Sequence, residues 1–258
     1  MRSAPPLFVS RLDPHIAPVL ERLRRHDASQ FTAEDKREAT SLLADALHGM
    51  LDTVFTQLIQ DIDRSFDTQG PHSKAIKAAE HTINDVKHKI DHYLVWLVKF
   101  LSSKRLVPVI AHYDAMVHQL PGSDIFYAAF PVPQELGKRA EKELREMKEG
   151  TRTSAAEGIE LLIEFMDVSA GPVVREPMAL MNFNFVVTRT LNGVLNLAMG
   201  HVNKMLRKLP PILPPELLPL LARHMETFLV FHEAELETKL RQAPEPRDIV
   251  SGQASQGV

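Results

Sequence analysis

The chain has 258 residues, 44% of them apolar, which allows a sizeable core and excludes global disorder. Its formal charge of −3 supplies no domain-wide basic field, so no nucleic-acid partner is expected. There is no cysteine, which rules out disulfides, thiolate nucleophiles and thiolate metal ligands and favours a reducing, cytoplasmic setting.

The start, MRSAPPLFVSRLDP, has one early arginine but no apolar run of signal-peptide length, so no secretory leader is expected. The longest apolar run, YLVWLV, is far too short to cross a bilayer, and no transmembrane segment is expected. A short helix, HIAPVLERLRRH, comes first. TAED then announces a long one: Thr32 caps it and Asp35 takes the capping-box acid position. Leu43, Leu47, Met50, Val54, Phe55, Leu58, Ile62 and Phe66 follow at helical spacing until DTQGP stops the run.

The next helix spans residues 73–103 and carries His81, His88 and His92 within roughly 40° of one another, opposite Ile83, Val86, Ile90, Leu94 and Leu97. His88 and His92 form an i,i+4 pair of the kind that can hold zinc. However, His81 and His92 lie about 16 Å apart along the axis, so a second helix would have to complete any site. A solvated polar face is the expected reading, and no metal or other cofactor is expected. LVPVIAHYDAMVHQL reads as a helix from near Pro108 to Pro121-Gly122. GSDIFYAAFPVP reads as an aromatic-rich connection whose Phe126, Tyr127 and Phe130 either plug the bundle or meet a ligand or partner. QELGKRAEKELREMKEG is a charged helix, and SAAEGIELLIEFMD, with a Ser154–Glu157 capping box, either continues it or begins a new one, with Gly150 arguing for a break.

Residues 177–209 read as one helix in which Asn182, Arg189, Asn196 and Asn203 recur every seven residues, with Gly193 and Gly200 beside them. Asparagine and glycine are poor choices for a purely solvated helical face, so the stripe reads as a polar seam against another helix, within the chain or between chains, with an exposed face of low helix propensity as the alternative. The last helix, PELLPLLARHMETFLVFHEAELETKLRQ, sets His224, Phe228, His232 and Glu235 along its apolar stripe. His232 and Glu235 are weak metal candidates there, and a partly buried, satisfied histidine is the favoured reading. Residues 243–258 are polar and aperiodic and read as a disordered tail.

The expected fold is all-α: a single bundle of roughly seven or eight helices over residues 1–242. No Gly-rich phosphate loop, nucleophile elbow or His-Glu-x-x-His motif is present, so the enzyme reading is disfavoured. The expected function is a non-enzymatic adaptor, regulator or scaffold subunit. It would act through helix–helix contacts with another protein or with a second copy of itself. The alternative is a helical protein that binds a small ligand or metal, an enzyme among the options, with a cavity between helices involving His112, His224 or His232.

Overall fold

The computed structural model describes residues 5–26, 31–65, 71–98 and 101–243. Phe66, most of the expected DTQGP stop and all but the first residue of the expected tail lie outside these residues. The chain is mostly helical, as its 3.6-residue periodicity implies. Nine helical rods stand among the described residues, joined by a small four-stranded sheet that the sequence pattern did not announce.

Strand β1 (Leu7–Arg11) leads into α1 (Ile16–Arg25). Helix α2 (Ala33–Leu51) begins with the expected capping box. Thr32 Oγ1 accepts the Asp35 amide at 3.1 Å, and the Asp35 carboxylate accepts the Thr32 amide at 2.8 Å. These bonds, led by the one from the Thr32 backbone, hold the Asp35 carboxyl below its usual range. A π-turn at Asp52–Thr56 carries α2 into α3 (Gln57–Ser65) without a break. Helix α4 (Pro71–Val98) returns antiparallel, tied to the turn by the ion pair of Lys87 with the buried Asp52, which also accepts a bond from Thr56 Oγ1 at 2.6 Å.

Helix α5 (Ser103–Met116) corrects the expected helix at both ends. It starts five residues before Pro108, which sits inside it, and it stops at Met116. Val117 turns extended, and Val117–Gln119 becomes β2 because it pairs with β3 (Phe126–Pro131). The expected aromatic connection is therefore strand β3, reached through a turn in which Gly122 adopts φ 70°. Sheet order is β2-β3-β1-β4, with every pair antiparallel. Phe8 and Phe130 are register partners and stack at 4.9 Å, and Phe228 closes on Phe8 at 5.4 Å.

Helix α6 (Gln134–Lys148) ends at Gly150, whose φ of 72° is a left-handed conformation that favours glycine. Glu143, buried in α6, pairs with Arg152 and so clips the following connection back onto the helix. Burial pushes its carboxyl up and Arg152 opposes that push. Helix α7 (Ala156–Ala170) follows, but the expected Ser154–Glu157 box does not form. Ser154 Oγ accepts the Ala156 amide at 3.2 Å instead. A second π-turn, Gly171–Arg175, joins α7 to α8 (Glu176–Leu180).

The expected 177–209 helix is split. Asn182 takes φ 44°, and Asn184 accepts the Val187 amide at 3.0 Å to cap a new helix, α9 (Phe185–Leu206). The last expected helix is split too. Helix α10 (Leu218–Phe228) gives way to β4 (Leu229–Val230), which pairs with β1, and α11 (Glu233–Gln242) follows. Sheet pairing overrides helix propensity there. The outer sheet face is covered by α11, with Leu240 and Leu236 beside Tyr127.

Apolar residues gather into two main clusters. One packs Phe55, Phe165 and Phe228 among α3, α4, α6, α7 and α10. The other packs Leu23, Leu106 and Phe183 among α1, α2, α5 and the approach to α9. No described helix is long and apolar enough to cross a membrane.

Candidate functional site

The two π-turns explain the histidines that looked most like chemistry. Each turn carries carbonyls that accept a side-chain donor from another helix. In the first turn His224 Nε2 lies 2.9 Å from the Val54 carbonyl, so the ring carries its proton on Nε2 and donates it. Burial, only partly offset by that bond, pushes the His224 pKa down and keeps the ring neutral.

In the second turn, Pro177 has no N–H to give to the carbonyls four and five residues behind it. Those carbonyls are Val173 and Pro172. Tyr113 Oη donates to Val173 at 2.6 Å and His112 Nε2 donates to Pro172 at 2.7 Å. Adjacent side chains of α5 thus replace one missing amide, and burial drives the Tyr113 phenol well up, as a neutral donor.

The other histidines lie on the surface. His81, His88 and His92 are exposed on α4, with His81 3.7 Å from Asp85. His232 stands ahead of α11, 3.9 Å from Glu141, while Glu235 pairs with Lys239 at 3.1 Å, so His232 and Glu235 do not meet through their side chains. Among the described residues no three His, Asp or Glu side chains converge on a common point. Phe126, Tyr127 and Phe130 alternate across β3: Phe130 enters the core, Tyr127 lies under α11, and Phe126 packs into the second cluster.

Two apolar chambers lie between the helices. One, about 800 Å³ of space open to solvent, sits under the inner sheet face between α1, α2 and α5, with Leu20, Leu43, Ile110, Tyr113 and Phe130 on its walls. The other, about 990 Å³ including space open to solvent, lies between α2, α4, α7 and α9, walled by Leu47, Ile90, Met166, Leu195 and Met199. Met50 and Val173 line both. None of His112, His224 and His232 lines either chamber. Their walls come from up to seven elements, and no local motif marks them.

The outer side of α9 is the other unusual surface. Phe185, Val186 and Leu197 are 74%, 70% and 66% exposed, and Leu180 on α8 is 40% exposed. Arg189 and Asn196 are exposed on this side. Asn203 is half-buried, with a buried Oδ1 that has no hydrogen-bond partner, and Asn182 sits in the turn before the helix. No atom lies within 4 Å of where a Cβ would stand on Gly193 or Gly200. Val187 and Leu191 face inward, and Arg207 anchors the far end to α7 through two bonds to Glu160 at 2.9 and 3.2 Å.

The chain matches no protein-family model, no curated protein and no solved structure with which it was compared.

Proposed function

We propose that this protein is a non-enzymatic helical binding protein, working in a reducing, cytoplasmic setting, that captures a helix of a partner protein on the outer face of α9. The observation that carries this reading is the strip formed by Phe185, Val186 and Leu197 at 66–74% exposure around Gly193 and Gly200. Exposed phenylalanine, valine and leucine on one helical face cost solubility and mark contact surfaces. Two glycines on the same side let another backbone approach closely, and Asn196 and Arg189 supply donors at the edge.

Charge narrows the partner. Helix α9 carries Arg189 and Lys204 and no acidic residue from Phe185 to Leu206. A second copy of the same strip would bring like charges together, so an amphipathic helix with carboxylates beside its apolar stripe is the better complement.

The test places a photo-crosslinking residue at Leu197 in the full chain and identifies the adduct by mass spectrometry. One discrete partner, joined through an acidic helix and lost in Leu197→Glu and Arg189→Glu variants that melt like the parent, is expected. Adducts between two copies of the chain, or capture that survives both substitutions, would overturn the proposal.

A further inference from the structure

We infer that the groove between α4 and α9 binds a single-chain anionic lipid, a free long-chain fatty acid in chemical class, with its tail in the larger apolar chamber and its carboxylate among lysines at the mouth.

The tail site is the apolar chamber on the inward side of α9, about 990 Å³ including the space open to solvent, opposite the proposed partner-docking face. Its walls are almost wholly aliphatic side chains and methionine sulfur, contributed by Ile90, Leu94, Met166, Leu195, Ala198 and Met199. Such a lining can hold an alkyl chain but offers no set of hydrogen-bonding groups to orient a polar metabolite. Methionine adapts its shape to a flexible tail.

The head site adjoins it. Val86 and Lys89 of α4 line both the chamber and a second, polar cleft of about 870 Å³. That cleft also presents Lys204, Lys208 and His201 from the α9 side, together with Thr82 and Asp85 from α4. Asp85 is the one carboxylate there, and it lies 3.7 Å from His81. Lys89, Lys204 and Lys208 have no ion-pair partner among the described residues. Three unpaired ammonium groups therefore meet one acid at the open end of an apolar chamber, which is the charge pattern an anionic amphiphile complements. From Thr82 to Leu94 the joined spaces run about 18 Å along α4 at 1.5 Å per residue, which suits a long acyl chain and is far more than acetate needs.

The full chain, freed of lipid by organic extraction and refolding, is titrated with oleate below its critical concentration by calorimetry, with displacement of a fluorescent fatty acid as a second readout. Saturable one-to-one binding is expected. Ala198→Trp fills the tail site and should weaken oleate more than tenfold. Val194→Phe, on the same wall, serves if the tryptophan variant melts unlike the parent.

Combined Lys89→Glu, Lys204→Glu and Lys208→Glu substitution should weaken oleate more than tenfold while leaving oleyl alcohol within about twofold. Acetate and inorganic phosphate should not compete, and anionic phospholipid vesicles should not sediment the protein. Absence of saturable oleate binding, binding indifferent to both cavity-filling variants, equal loss of oleate and oleyl alcohol in the charge-reversed protein, or vesicle binding without monomer binding would each overturn the inference.

Discussion

Replacing His224 with leucine isolates what the first π-turn requires. The ring is buried, donates to the Val54 carbonyl at 2.9 Å, and meets Phe228 edge-on with ring centroids 5.6 Å apart. Leucine fills most of the volume but cannot donate. Losing this buried hydrogen bond costs about 1–3 kcal/mol, and the lost ring contact adds about 0.5–1 kcal/mol. A total of about 2–4 kcal/mol follows, equivalent to a melting-temperature drop on the order of 10 °C in a chain of this size. Glutamine, whose amide N–H can reach the Nε2 position, should recover part of the loss.

The same site makes a pH prediction of defined sign. The folded pKa of His224 is depressed below the ordinary value of about 6.5, so below that pH the unfolded chain takes up a proton that the folded chain refuses. The His224 contribution is complete above about pH 6.5 and is lost as pH falls toward the folded pKa. Urea melts from pH 8 to pH 5 on parent and His224→Leu proteins give the difference curve. A leucine variant within about 0.5 kcal/mol of the parent, or parallel pH slopes in the two proteins, would refute the reasoning.

Lys87→Met should cost about 3–5 kcal/mol, because it leaves the buried Asp52 carboxylate with only Thr56 as its partner; adding Asp52→Asn should restore most of the loss in urea melts. Tyr113→Phe should cost about 1–3 kcal/mol, and a double-mutant cycle with Pro177→Ala should show that cost shrinking, since residue 177 then has an amide to return to Val173. Replacing His81, His88 and His92 together with glutamine should change stability by no more than about 0.5 kcal/mol per site, and zinc should leave the parent's melt where it was.

What could be read in the sequence was whatever is decided within a few residues. Thr32 and Asp35 satisfy each other across one helical turn, so their spacing alone announces α2. Gly150 stops α6 by its own backbone freedom. The split between α8 and α9 had a local signal that periodicity masked: in Asn182-Phe183-Asn184, one asparagine tolerates positive φ and the other caps the next helix. Strands β2 and β4 had no such signal. Val117–Gln119 and Leu229–Val230 continue helical patterns and leave them only because β3 and β1 offer partners from distant sequence. The chambers were illegible for a related reason. Met50, Ile90, Met166 and Leu195 each look like an ordinary core residue in its own helix, and the space they enclose exists only once four helices meet.

The position of the chambers follows from the backbone. Met50 lies just before the first π-turn and Val173 lies within the second, and these two residues form the wall the chambers share. A π-turn inserts one residue into the helical register, so the rows of side chains on either side of it no longer line up as a single ridge. A neighbour packed across the shifted stretch meets no continuous ridge there. The protein therefore supplies costly support at both turns: a buried histidine at Val54, and a histidine and a tyrosine where Pro177 has no amide. Buried polar groups of this kind do not arise from apolar packing, and ordinary α-helical turns would need none of them. The π-turns and their three aromatic donors thus stand beside the gap between α2, α4, α7 and α9, the space in which the proposed lipid tail would lie.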